Sequence, residues 1–181
     1  MIPEYIQRTK NAEFKKSKIM EATFFDEAKE RGYDIKKAKP YDDMYKHIDF
    51  YLQKEDQSFS VDVKGRKKIH RKSNSFDDIH TWVEFKNVRG NPGWLYGDAD
   101  YIVFEQESRY VFINRKELLD YCLDTVEDVH VTSPLEATYK YYTRNARKDL
   151  LSRIKLTDAI ESKFFSKTPM IWEKPNDESS N

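Results

Sequence analysis

The chain has 181 residues with 32 basic and 32 acidic side chains, so its formal net charge is zero; it is 38% hydrophobic, 14% aromatic and 35% charged. That length is ample for one α/β domain with a real core, and the apolar content excludes general disorder. Neutrality argues against indiscriminate coating of nucleic acid, and the single cysteine excludes an internal disulfide and favours a reducing compartment. No apolar stretch is long enough to cross a membrane, and Met1-Ile2-Pro3-Glu4 begins no signal peptide, so a cytoplasmic location is expected. Zinc-type Cys/His spacing, a Walker A loop and a Gly-x-Ser-x-Gly turn are all missing.

From about Thr9 to Arg31 the chain lacks Gly and Pro and then meets Gly32, which predicts a helix ending there. At about 100° per residue, Phe14, Glu21, Phe25 and Ala28 share one stripe, with Phe24 on its edge. Glu21 lies near the centre of that stripe, whereas Glu13, Glu27 and Glu30 lie toward its margin or away from it. A carboxylate aimed into a core needs a partner or a metal. On the residues alone, Glu21 reads as a core-edge carboxylate salt-bridged to Lys18 or another lysine.

Two runs then alternate at period two, His47-Ile48-Asp49-Phe50-Tyr51-Leu52 and Ser58-Phe59-Ser60-Val61-Asp62-Val63-Lys64, as half-buried strands do. In the second, Phe59, Val61 and Val63 share one face, and Ser60, Asp62 and Lys64 the other. The polar link from Gln53 to Gln57 suggests a hairpin that brings Asp49 to Asp62. Two clustered carboxylates raise each other's pKa unless a cation sits between them, and oxygen-rich sites suit Mg²⁺ or Mn²⁺. A lysine beside such an ion can orient water or stabilise anionic charge.

The segment from Lys64 to Lys72 is densely basic and abuts these residues. Arg66, Lys67, Lys68, Arg71 and Lys72 are candidate phosphate contacts; the alternative is a solvated loop. Thr81-Trp82-Val83-Glu84-Phe85 alternates, which predicts that the sheet continues. Glu84 would be an outer metal ligand, a partner of Lys64, or a plain strand carboxylate. His80 reads as a surface or hydrogen-bonded residue. Gly90 to Gly97 forms an irregular loop whose Trp94 and Tyr96 would either stack on bases or plug the loop onto the core. Strands are expected over Ala99–Phe104 and Arg109–Ile113, joined as a hairpin through Glu105–Ser108, with Asp98 and Asp100 structural.

Asn114 to about Asp128 reads as a helix, Ser133-Pro134-Leu135-Glu136 as a helix start, Tyr139–Arg144 as helix or strand, and Thr157–Phe165 as a short helix. Arg144, Arg147, Lys148 and Arg153 form a second basic group that would grip phosphates or decorate the surface. Residues 1–172 are expected to form one domain, and 173–181 has the composition of a disordered tail.

Asp49 with Asp62-Val63-Lys64 resembles the motif of the PD-(D/E)xK nuclease superfamily, over roughly Glu21 to Phe112. Ile48 stands where the nominal proline would be, and Asp62 where glutamate is commoner. The resemblance implies a restriction-endonuclease-like α/β fold, a mixed central sheet flanked by helices, and Mg²⁺-dependent hydrolysis of phosphodiester bonds. It implies that Glu21, Asp49, Asp62 and the Val63 carbonyl hold one or two ions, that Lys64 positions the nucleophile, and that Glu84 is accessory. DNA is favoured over RNA because the superfamily acts mostly on DNA, endonuclease action is favoured, and the Gly-rich aromatic loop hints at branched or distorted substrates. Small examples are common in phages and mobile elements, so a phage origin, with action in the host cytoplasm, is compatible, as is a homodimer. Two rival expectations remain: an inactive nuclease-like module that binds nucleic acid, and a protein-interaction domain with a coincidental triplet.

Overall fold

The computed structural model describes residues 4–69, 73–165 and 169–175. In chain order it contains helix α1 (Glu4–Glu30), strands β1 (Asp34–Lys37), β2 (Phe50–Lys54), β3 (Gln57–Lys64), β4 (Lys67–Lys68), β5 (Phe76–Asp77), β6 (His80–Lys86), β7 (Tyr101–Glu105) and β8 (Arg109–Asn114). Helix α2 (Arg115–Thr125), β9 (Glu127–Val131), β10 (Lys140–Tyr142), β11 (Leu150–Lys155), α3 (Leu156–Glu161) and β12 (Met170–Glu173) follow. The fold is mixed α/β. Among the described residues no helix is long and apolar enough to cross a membrane.

Six strands form the main sheet in the order β1-β2-β3-β7-β8-β12, antiparallel throughout except for the parallel pair β3·β7. Period-two alternation divides its core between two faces. Phe50, Leu52, Val61, Val63, Val103, Tyr110, Phe112 and Trp172 pack with Phe24 and Ala28 of α1. Ile102, Phe104, Val111 and Ile113 pack on the other face with Leu118, Tyr121 and Cys122 of α2 and with Val83 and Ile154. Those last two belong to a second, four-stranded sheet ordered β6-β11-β10-β9. The expected continuation of one sheet through Thr81–Phe85 is thus corrected: β6 pairs with β11, because β7 already occupies the free edge of β3.

Helix α1 begins earlier than the sequence suggested and ends as expected. Gly32 has φ +81°, Tyr33 N–H donates to Ala28 O at 3.0 Å and Gly32 N–H to Lys29 O at 2.9 Å. This is a Schellman stop, which needs a residue free to adopt left-handed backbone. Phe24, placed at the stripe's edge, is fully buried at its centre and stacks on Trp172 at 5.6 Å. Phe14, placed on the stripe, is exposed, as are the described side chains up to Ile19, so α1 engages the sheet only from Met20 onward. Glu27 is also shielded, not turned away: its side chain is 12% exposed and pairs with Arg31 at 2.6 Å.

The hairpin β2–β3 turns on Glu55 and Asp56, tighter than the five-residue link expected, with Lys54 opposite Gln57 and Phe50 opposite Val61. The ladder ends there, and Asp49, one residue before it, also turns its N–H to Val61 O. The helix expected from Asn114 to Asp128 ends at Thr125, and Glu127 begins a strand. The helix start at Ser133 is only a three-residue turn, Pro134–Glu136; within Tyr139–Arg144, Lys140–Tyr142 is strand β10, and Leu150–Lys155, for which no element was expected, is strand β11. Glu173 and Lys174, expected in the tail, are ordered: Glu173 ends β12 and Lys174 pairs with Glu105 at 2.9 Å; residues 176–181 lie outside the described residues.

Candidate metal centre

Asp49 stands one residue before β2 and is held by its own backbone. Its N–H donates to Val61 O at 2.8 Å, and its carbonyl accepts from Ala38 N–H at 2.8 Å. Its carboxylate then turns onto β3, where Oδ2 accepts from Val63 N–H at 2.7 Å. Alternate residues of a strand present both backbone groups to the same neighbour. Val61 faces β2, so Val63 faces that side too, past the point where β2 begins. The N–H of Val63 is occupied by Asp49, and its carbonyl lies on that open edge.

Asp62 emerges on the face opposite α1, beside Lys64. The ammonium of Lys64 sits 2.7 Å from Asp62 Oδ1 and 4.9 Å above the ring of Trp94. Asp62 is 4% exposed, and its Oδ2 is buried with no hydrogen-bond donor. One ammonium thus serves two shielded carboxylates. Burial pushes the carboxyl of Asp49 up to about 7, helped by the charge of Asp62 and opposed by Lys64 and the Val63 N–H. Burial raises Asp62 as well, with Lys64 pulling the other way. A proton on Asp49 would supply the missing donor to Asp62; a cation would satisfy both.

These residues line a cavity of about 300 Å³. Glu21 reaches it from α1 together with Phe14, Ser17 and Lys18, residues that share one helical face at i, i+3, i+4 and i+7. The sequence therefore brought Glu21 to the right cavity, but its carboxylate is already satisfied. Oε2 is 2.5 Å from Lys37 and 3.3 Å from Lys18, and Oε1 accepts from Ser17 at 3.2 Å. Burial alone would raise its pKa, but Lys37 and then Lys18 outweigh that and hold it below the usual carboxylate range. Among the described residues no three His, Cys, Asp or Glu side chains converge to form a ready metal cluster. The nearest approach to one is the pair Asp49 and Asp62 with the Val63 carbonyl, and its buried oxygen without a donor fits a hard cation.

Two cavity residues escaped the sequence reading. Asp43 and His47 both line it. They lie on and just after a π-helical turn, Asp42–Lys46, and His47 closes the turn in left-handed backbone with φ 53°. His47 was assigned to a strand because it precedes an alternating run. The available signal was Pro40 followed by the acidic pair Asp42-Asp43, which marks a turn. Burial lowers the pKa of His47, Lys64 lowers it further, and a hydrogen bond to the Pro92 carbonyl opposes both.

Glu84 lies on β6 close enough to Lys64 for their charges to couple; burial raises its pKa, opposed by Lys64 and Arg144. The loop behind it is drawn in tightly. A Cβ on Gly93 would come within 2.3 Å of the Glu84 carbonyl oxygen, so only glycine permits this approach. That contact seats Trp94, which is 7% exposed and packs edge-on against Phe104 at 6.3 Å. Trp94 plugs the core and cannot stack on bases, which corrects its assignment as a nucleic-acid contact; Tyr96, two residues on, is exposed.

Three of the expected basic contacts, Arg66, Arg144 and Arg153, are committed elsewhere. Arg66 makes two 2.8 Å hydrogen bonds to Asp78 and covers the ring of Phe76. Lys67 and Lys68 form the short exposed strand β4, and His70, Arg71 and Lys72 lie outside the described residues. Arg144 Nε holds the fully buried Asp149 at 2.5 Å, and Arg153 bonds Thr138 and the Leu135 carbonyl. Arg147 and Lys148 remain exposed on the same loop. Compared with protein-family models, curated proteins and solved structures, the chain matches none.

Proposed function

We propose that this protein is a metal-dependent nuclease of the PD-(D/E)xK kind with a restriction-endonuclease-like core, and that it hydrolyses phosphodiester bonds, DNA being the favoured substrate. The observation that carries the reading is the buried pair Asp49 and Asp62, short of positive charge and flanked by Lys64. Support for the core comes from a helix followed by an antiparallel meander that ends at these residues. Asp49, Asp62 and the Val63 carbonyl would hold Mg²⁺ or Mn²⁺, which supplies water activation and charge neutralisation on the scissile phosphate.

The chain's own residues do the rest. Asp62 Oδ1 and the Trp94 ring hold the Lys64 ammonium at the cavity, where it can orient water and stabilise developing negative charge. Glu84 balances that ammonium from behind. Glu21 sets the field at the rim, and joins the ligand set only by exchanging its lysine partners.

Incubating the wild-type protein with Mg²⁺ or Mn²⁺ and a panel of single-stranded, duplex and branched DNA and RNA tests this directly. Cleavage that needs the metal and is lost in Asp62→Asn is expected. Equal cleavage by Asp62→Asn at matched purity, or no metal-dependent change in either turnover or thermal midpoint, would overturn it.

A further inference from the structure

Five described large apolar side chains are more than 60% exposed: Phe14, Tyr41, Met44, Tyr45 and Leu135. All but Leu135 lie on the two segments that rim the cavity. One is the protruding part of α1, which contributes Phe14 and Lys18; the other is the turn that contributes Asp43 and His47. Exposed rings gathered beside a site for phosphate chemistry call for an occupant with flat apolar surfaces.

The charge around them is rich in lysine but mixed: Asp42 and Asp43 lie on the turn itself, Lys18 and Lys37 pair with Glu21, Lys36 with Asp34 and Lys46 with Asp42. Phe14 to Ile19 carries Lys15, Lys16 and Lys18 with no acid, and Lys36, Lys37 and Lys39 precede the turn that ends at Lys46. Lysines and rings are interleaved: Lys18 lies 5.3 Å from the Phe14 centroid and Lys46 5.9 Å from that of Tyr41. Tyr41 and Tyr45 sit side by side with centroids 4.9 Å apart. Their positions two residues from Asp43 and His47 put the pair on the side of the turn away from the cavity, with Met44 between. A polymer leaving the cavity would cross the turn and meet the rings next.

We infer that this face holds a single-stranded stretch of nucleic acid, bases stacked on Phe14, Tyr41 and Tyr45 and phosphates on the lysines of the two segments, Lys15, Lys16 and Lys39 first among them, and feeds it to Asp49 and Asp62. The chemistry at the cavity rests on the nuclease reading above. Duplex offers its phosphates to lysines but keeps its base faces covered, so the rings serve only unpaired bases. The face is a further phosphate-binding candidate beside the two basic groups that the sequence singled out, of which Arg66, Arg144 and Arg153 are bound to the protein itself.

The test uses the full chain carrying Asp62→Asn, in EDTA, with a fluorescent single-stranded oligonucleotide and its duplex, read by anisotropy. Phe14→Ala and the double variant Tyr41→Ala/Tyr45→Ala should each weaken single-strand binding about tenfold and change duplex binding less than twofold. Lys116→Gln on α2 serves as a control, and thermal unfolding of each variant checks that it folds. An iodouracil-substituted strand should cross-link to peptides spanning 14–18 and 41–46. Unchanged single-strand affinity in both ring variants, absence of binding, or cross-links only elsewhere would overturn the inference. The two readings separate cleanly. Ring-dependent binding without any cleavage by the wild type leaves the face standing and sinks the nuclease; cleavage with ring-independent binding does the reverse.

Discussion

Two acidic groups share one cavity and have opposite charge balances. Glu21 has Lys37, Lys18 and Ser17 around a single carboxylate, and its pKa is depressed. Asp49 and Asp62 have one ammonium between them, a buried oxygen with no donor, and raised pKa values. The first is a finished ion-pair cluster; the second is incomplete without a proton or a cation. A count of carboxylates would rank them alike, whereas the supply of positive charge leaves only the aspartates in want of a proton or a cation.

Breaking the incomplete half should have the largest consequence. Asp62→Asn removes the charge and keeps the shape, so metal-dependent cleavage should fall by at least about a thousandfold, on the scale at which a missing metal-site charge acts. The fold should persist, checked by far-ultraviolet circular dichroism, because the substitution removes a buried anion.

Lys64→Met should lower the single-turnover rate about a hundredfold or more while substrate affinity changes little, since one lysine among many adds little to binding. A loss confined to affinity would make Lys64 a phosphate contact instead.

The third way to sharpen the contrast is pH. In metal-free protein Asp49 titrates near 7 when folded, against an ordinary 3.8. Between those values the native state keeps a proton that the unfolded chain has lost, so stability falls as pH rises through that window. The loss has an upper limit of about 4 kcal/mol. Asp49→Asn should remove this share of the pH dependence, Asp62 keeping its own raised carboxyl, and leave the variant more stable than wild type at pH 8 in EDTA and much closer to it near pH 4. Mn²⁺ should restore wild-type stability and do little for the variant. Denaturant titrations at several pH values give the curve; a flat wild-type profile would contradict the charge deficit.

Glu21→Gln should weaken Mn²⁺ binding by less than tenfold, through the unbalanced charge of Lys37 and Lys18, and Glu27→Gln should leave it unchanged. Isothermal titration compares them. A loss for Glu21→Gln as large as for Asp49→Asn would place Glu21 in direct contact with the ion. The smallest effect is expected at Arg66: Arg66→Gln should cost about 1 kcal/mol of stability by freeing Asp78, and barely alter the salt dependence of nucleic-acid binding.

The parts of the site legible in the sequence are those carried by local periodicity. Alternation alone separated Val61 and Val63 from Asp62 and Lys64, because successive side chains of a strand must point to opposite faces. The short polar link made a hairpin between Asp49 and Asp62 the simplest pairing, and 100° spacing sent Glu21 toward the same cavity. Gly32 marked the end of α1, since its left-handed backbone is a property of that one residue.

What remained depended on contacts between residues far apart in the chain. Trp94 became core and not a stacking platform because Gly93 lets its loop close on Glu84. Arg66 and Arg144 became structural because Asp78 and Asp149 meet them. The second sheet and β12 exist through pairings of Lys155 with His80 and Trp172 with Tyr110, which no local pattern encodes. Sequence determined which faces the residues of each element present; tertiary structure decided which charges found partners. Periodicity is set by backbone geometry one residue at a time, whereas an ion pair or a buried ring needs the approach of two segments.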